Sequence, residues 1–221
     1  MGSSHVGARL GTVRLNAAIA DLWFAWVGEH ATDVDTFSRE YLSRDESARL
    51  PAYRVREAAE RYVVTRSLVR IVLSEHLGIP PREIRVSHTD SGKPVVTGGI
   101  HFNVTHSGDL ILLAVSDARP VGVDVERRRI VNRVEALTRR WLTESERTDL
   151  EALRMTGVVE SDAFLRIWSL KEARLKALGV GISGASRAAL HMVEVRPLDD
   201  LLSSLAHDRG DPGYVGAVAF A

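Results

Sequence analysis

In Gly122-Val123-Asp124-Val125-Glu126, two acidic residues alternate with two valines. Successive side chains of an extended strand point to opposite faces, so Asp124 and Glu126 share one face, about 7 Å apart along the chain. Parallel carboxylates repel, and a hard divalent cation between them makes the arrangement favourable. Mg2+ takes a few carboxylates and fills its remaining positions with water and phosphate oxygens. For the pair alone, the alternative is a strand edge with both charges in water. Farther along, Ser169, Glu172 and Lys176 recur at helical spacing, and Glu172 and Lys176 stand at i and i+4 on one face. In isolation they read as a surface ion pair worth a few tenths of a kcal/mol. Opposite a strand bearing Asp124 and Glu126, Glu172 would supply a third ligand for a metal.

The basic residues sharpen this reading. There are 29 of them against 29 acidic ones, and only three are lysines: Lys93, Lys171 and Lys176. In a chain that uses Arg almost everywhere, the remaining lysines mark places that want a compact ammonium on a flexible stem, or they are chance survivors of an Arg bias. Lys93 lies in Ser91-Gly92-Lys93-Pro94. Shortly after it, Phe102-Asn103-Val104-Thr105-His106-Ser107-Gly108 runs from a strand into a small polar turn. Backbone N–H groups, hydroxyls and an imidazole in such a turn make a phosphate cradle, or a turn whose histidine bonds its own loop.

These residues need elements to carry them. Ala17–Val27 reads as a strand and Asp33–Leu42 as a short helix or turn. Apolar residues at threes and fours make a long helix over Arg54–Leu77, closed by Gly78 and Pro80-Pro81. Ile84–Ser87 and Lys93–Val96 are short extended pieces about a turn. Ile100–Val104, Leu110–Ser116 and Val121–Glu126 follow as a meander. A second long helix spans Asp162–Leu178, capped by Ser161 or Asp162 and ended by Gly179. Leu190–Val195 and Tyr214–Phe220 close the chain as a strand pair. Leu42–Glu46 and Leu50 match Leu142–Glu146 and Leu150 at an offset of 100 residues, and Ser67-Leu68 matches Ser169-Leu170 at 102. The matches suggest two copies of one helix-plus-sheet unit with a ligand cleft at their junction.

Composition sets the outer limits. A chain of 221 residues is one large domain or two small ones, and 45% apolar with 26% charged residues is a globular balance. The absence of cysteine excludes a thiol nucleophile, Cys-ligated zinc, iron–sulfur clusters and disulfides, and it suits a reducing cytosol. No stretch reads as a membrane span or secretory signal. Zero net charge argues against whole-molecule capture of nucleic acid.

Gly92-Lys93-Pro94, then Phe102–Ser107, then Gly122–Glu126, then Trp168–Ala173 with Lys176 beyond, resembles in order and spacing the signature of the surfactin-synthetase-activating (Sfp-like) type of 4′-phosphopantetheinyl transferase. The resemblance runs from about Leu42 to Ile182. It implies an α+β fold of two similar helix-plus-antiparallel-sheet halves, 12–117 and 118–221, related by a pseudo-twofold axis with the active site between them. It also implies a cytoplasmic monomer that moves the 4′-phosphopantetheine arm of coenzyme A onto a serine of an acyl or peptidyl carrier protein, in fatty-acid, polyketide or nonribosomal-peptide assembly, and releases adenosine 3′,5′-bisphosphate. By the same resemblance, Asp124, Glu126 and Glu172 hold Mg2+. Glu172, or a water it orients, is the base, and Lys176 stands at the α-phosphate. Arg49, Arg61, Lys93, Pro94, Thr105, His106, Ser107 and Lys171 bind coenzyme A. Glu46 replaces a residue that is often basic in relatives, with Arg56 as a substitute, and Glu146 is a further candidate. The basic run Arg127–Arg129 with Arg133, Arg139 and Arg140 is either a carrier-docking surface or a solvated face. A Mg2+-dependent phosphohydrolase or nucleotidyltransferase using the same carboxylates is the alternative reading.

Overall fold

The structure is a computed structural model that describes residues 6–16, 18–181, 190, 192–206 and 211–221. Its strands are β1 (Ala8–Leu15), β2 (Ala18–Trp26), β3 (Val86–His88), β4 (Pro94–Val96), β5 (His101–Ser107), β6 (Leu110–Ser116), β7 (Val121–Arg127), β8 (Glu194–Pro197) and β9 (Tyr214–Phe220). The helices are α1 (Val34–Glu40), α2 (Arg44–Arg49), α3 (Arg56–Leu77), α4 (Val134–Trp141), α5 (Glu144–Met155), α6 (Glu160–Leu178) and α7 (Asp199–Ala206).

The apolar run Leu110–Ser116 explains the architecture. Every residue of β6 is buried, because the strand is covered on both faces. Ile111, Leu113 and Val115 pack with Val64, Leu68 and Val72 of α3. Leu110, Leu112 and Ala114 pack instead with Val121, Val123 and Val125 of β7 and with Val218 and Phe220 of β9. A strand with no solvent face has no reason to alternate apolar and polar residues, and this one does not. Pairing is antiparallel throughout, in the orders β1-β2-β6-β5 and β7-β9-β8, with β3 and β4 as a separate hairpin. The molecule is therefore a mixed helix and antiparallel-sheet α+β protein. The long helices α3 and α6 both stop at a glycine in the left-handed region, Gly78 (φ 67) and Gly179 (φ 70), as their sequences predict.

Several expectations need correction. Ile100–Val104, Leu110–Ser116 and Val121–Glu126 do not form one meander. Both edges of β6 are already taken, by β2 and β5, so β7 leaves that sheet and pairs with β9. The cap of α6 is Val159, without a side-chain bond, because the Ser161 hydroxyl instead accepts from the Val131 N–H. The penultimate strand begins only at Glu194, since Leu190 and Val193 close a turn ahead of it. β1 (Ala8–Leu15) has no counterpart among the strands expected from the sequence.

Candidate active site

The site forms where α6 crosses β7, and glycine sets the distance. A Cβ on Gly122 would lie 2.2 Å from the Ala173 carbonyl oxygen and 2.3 Å from the Ala177 nitrogen. Glycine on the strand and two alanines on the helix thus let the backbones touch. Val121, Val123 and Val125 face the core, so Asp124 and Glu126 continue the Gly122 face and lie beneath the helix that carries Glu172 and Lys176.

Asp124 is buried. Its Oδ1 accepts from Lys176 Nζ at 2.6 Å and from the Thr105 hydroxyl at 3.3 Å, while Oδ2 is buried with no hydrogen-bond partner. Lys176 Nζ also donates to Thr105 Oγ1 and the Val123 carbonyl, each at 3.2 Å. Glu126 Oε2 accepts from Ser107 at 3.2 Å and Arg129 at 2.8 Å. Burial pushes the Asp124 carboxyl up to about 6; Lys176 opposes the shift, and Glu126 and Glu172 add to it. Glu172 is raised for the same reasons, burial first, with Glu126 pushing up and Lys176 and Lys171 pulling down. The three carboxylates therefore feel one another. Among the described residues, however, no three acidic or imidazole groups converge closely enough to hold an ion in this conformation.

β5 runs beside β7 without a backbone ladder, and side chains bridge the seam. Asn103 Oδ1 accepts from the Val123 N–H at 2.8 Å, Thr105 reaches Asp124, and Ser107 reaches Glu126 while accepting from the Arg127 N–H at 3.0 Å. The Thr105-His106-Ser107 group consequently divides. The two hydroxyls orient carboxylates, and His106 looks out on the opposite side of the strand. The imidazole pKa is held below its ordinary value by partial burial and by the positive charges of Arg61 and Lys176.

The comparisons with known proteins fall on this geometry. Residues 120–215 match the family model of the 4′-phosphopantetheinyl transferase superfamily, and residues 31–118 match that of the 4′-phosphopantetheinyl transferase N-terminal region. Over 161 residues the chain is 31% identical to the 4′-phosphopantetheinyl transferase HetI of Nostoc sp., an alignment covering 71% of this chain and 67% of HetI. The chain belongs to the 4′-phosphopantetheinyl transferase superfamily. It is also 32% identical over 167 residues to a phosphopantetheinyl transferase of Thraustochytrium sp. (69% of this chain, 58% of the relative) and 29% identical over 145 residues to the 4′-phosphopantetheinyl transferase Sfp of Bacillus subtilis (65% and 62%). The chain thus spans about three fifths of these last two relatives. Asp124, Glu126, Glu172 and Lys176 lie in the superfamily match, and Arg49, Arg61, Lys93, Pro94 and Thr105–Ser107 lie in the N-terminal match.

Within this superfamily member, other expected ligands have different places. Lys171 is buried and holds both oxygens of Glu146, at 2.9 and 3.2 Å. Glu146 in turn closes a capping box with Thr143 at the start of α5. Lys171 and Glu146 therefore bind each other, and Glu146 also closes the helix end, so in this conformation the Lys171 ammonium is held in a buried ion pair. Glu46 repeats the arrangement, with a capping box to Ser43 and a buried ion pair to Arg70. Arg56 is exposed and pairs with Glu60, and it is not among the residues that line the cavity holding Arg49. Lys93 Nζ donates to the Ala177 carbonyl at 2.8 Å and the Val121 carbonyl at 3.2 Å, tying the hairpin whose second strand Pro94 begins to the last turn of α6. Burial alone brings its pKa down to about 8.

Arg49 and Arg61 separate. Arg61 stands by His106, whereas Arg49 lines a cavity of about 770 Å3 with Arg66, Arg82, Arg85 and His88. The latter four were missed in the sequence, although Tyr62, Arg66 and Arg70 repeat at i+4 along α3. In the basic run, Arg128 is committed to Asp162 and Asp199, and Arg129 to Glu126.

Proposed function

We propose that this chain transfers the 4′-phosphopantetheine arm of coenzyme A to a serine hydroxyl of an acyl or peptidyl carrier protein, with Mg2+, and releases adenosine 3′,5′-bisphosphate. The reading is carried by Asp124, a buried carboxylate with one unsatisfied oxygen held beside Glu126, Glu172 and Lys176 in a member of this superfamily. An orphaned buried oxygen is costly unless something binds it, and a set of hard carboxylate donors suits a hard divalent cation. Asp124, Glu126 and Glu172 would hold it. When bound, Mg2+ would offset the charge that builds on the phosphoryl oxygens and leaving group. Glu172, whose carboxyl burial holds above its ordinary value, takes the serine proton as the serine oxygen bonds to phosphorus and the bond to the bisphosphate oxygen breaks. Lys176 neutralises the phosphate beside it. His106 and Arg61 face the nucleotide end of coenzyme A, and the arginine-lined cavity of Arg49 takes its 3′-phosphate.

The two halves, 12–117 and 118–221, form a pseudo-twofold pair with the site between them. Supporting this are the two capping boxes, Ser43–Glu46 and Thr143–Glu146, each followed by a buried pair to a cation of the next long helix. A site assembled within one chain needs no partner copy, so the enzyme works as a monomer, in the cytoplasm, without nucleic acid. Among the described residues, no helix is long and apolar enough to cross a membrane. Arg133, Arg139 and Arg140, exposed on or beside α4, present positive charge to an acidic carrier helix. The test is the intact mass of an apo-carrier protein incubated with the chain, coenzyme A and Mg2+. A gain equal to the phosphopantetheine arm is expected. Coenzyme A breakdown with an unmodified carrier would point instead to a phosphohydrolase, and no turnover of either would refute the reading.

A further inference from the structure

We infer that Lys176 is the resident cation of the metal pocket, and that it must leave Asp124 when a divalent ion enters. The inference rests on the transferase reading for the identity of the ion, but the argument is geometric. The ammonium sits among three oxygens, Asp124 Oδ1 at 2.6 Å, Thr105 Oγ1 at 3.2 Å and the Val123 carbonyl at 3.2 Å, which is a small cation-binding nest. Asp124 is buried at the junction of strand and helix, and a bare carboxylate there would be strongly disfavoured. Lys176 supplies the compensating charge. It also holds Asp124 in an orientation that leaves Oδ2 unpaired, and in this conformation no three carboxylates converge on an ion. A divalent cation bonded to the same carboxylate would stand close to the ammonium in a site screened from water, where like charges repel strongly.

The two cations therefore exchange. The ion takes Asp124 with Glu126 and Glu172, and the freed lysine, whose side chain is 27% exposed at its present place, turns its ammonium outward to whatever anion accompanies the ion. This explains a lysine at position 176 in a chain where 26 of 29 basic residues are arginine. A planar guanidinium with a fixed fork would lock the carboxylate, whereas a point charge on a four-carbon stem can let go.

The test measures Mn2+ binding to the full chain, by loss of the free-ion paramagnetic resonance signal, without coenzyme A. Lys176→Met removes the competing charge at nearly constant shape and is expected to tighten Mn2+ binding about tenfold. Glu172→Gln is expected to weaken it. If Lys176→Met binds equally or more weakly while Glu172→Gln is impaired, the metal site stands and the exchange is refuted. If wild type, Lys176→Met and Glu172→Gln bind no ion, the metal reading fails and takes the inference with it. Should Lys176→Met not fold, the wild-type chain with labelled lysine side chains still decides the matter, because it gives only three signals. Saturation with Mg2+ must shift the Lys176 signal most, and an unmoved signal would overturn the exchange.

Discussion

Replacing Gly122 by alanine adds a single methyl group, and the structure says where it goes. The new carbon would stand 2.2 Å from the Ala173 carbonyl oxygen, 2.3 Å from the Ala177 nitrogen and 2.8 Å from the Lys176 carbonyl carbon. All three are backbone atoms in the last two turns of a 19-residue helix, so no side chain can swing aside. To restore ordinary contact α6 would have to move off β7 by more than 1 Å, roughly the scale at which misplaced catalytic groups lose about a hundredfold in rate. Overpacking typically costs about 1–3 kcal/mol, and a backbone clash belongs at the upper end. For a chain of this size, about 3 kcal/mol lowers Tm by roughly 6–12 °C. Gly181, whose added Cβ would meet nothing within 4 Å, is the control and should be neutral. Differential scanning calorimetry gives the first number, and carrier modification under kcat/KM conditions gives the second. A Gly122→Ala enzyme with unchanged Tm and activity would show that helix and strand do not touch there, and the placement of Glu172 over Asp124 would lose its basis.

Other perturbations test separate parts. The raised pKa of Asp124 means that the unfolded chain loses this proton near 3.8 and the folded one near 6, so stability falls as pH rises between them. Relative to wild type, Asp124→Asn should therefore gain on the order of 3 kcal/mol between pH 4 and pH 7 in urea titrations, and a flat difference would contradict the burial argument. Lys171→Met strips the buried Glu146 of its ammonium partner, leaving only its capping-box bond from the Thr143 N–H, and should cost about 3–5 kcal/mol, whereas adding Glu146→Gln should recover part of it; a single-variant loss under 1 kcal/mol would dismiss the pair. His106→Ala should raise the KM for coenzyme A more than it lowers kcat, since the imidazole lies on the side of β5 opposite the hydroxyls that reach the carboxylates. An equal fall in kcat would move His106 into the chemistry.

What could be read from the sequence was whatever a local pattern dictates. Glycine ends to α3 and α6, the β6 strand that is apolar up to its closing Ser116 and the shared face of Asp124 and Glu126 follow from period and turn chemistry alone. Pairing was less accessible. Nothing local in Val121–Glu126 says that β6 has no free edge, and only the tertiary arrangement sends β7 to β9. The same limit applies to Lys171. Its neighbours Glu172 and Lys176 point to the site, but its own partner, Glu146, lies 25 residues away on another helix. Arg66, Arg82 and Arg85 escaped notice for a related reason, since among many arginines nothing singles out those that a loop and two helices bring around one cavity.

The placement of the lysines also has a practical side. None of the three is fully exposed: one is locked in a buried pair, and the other two span the contact between β7, α6 and their neighbours. Amine-directed reagents, which on most enzymes label a crowd of indifferent surface sites, would here meet lysines that are buried or partly covered, and would react faster whenever the protein opens. The extent of lysine acylation, read by mass spectrometry with and without ligands, becomes a direct gauge of breathing at the junction. By the same token, immobilisation through lysine would tether this enzyme by its working parts, and an arginine- or carboxyl-directed chemistry is the better handle.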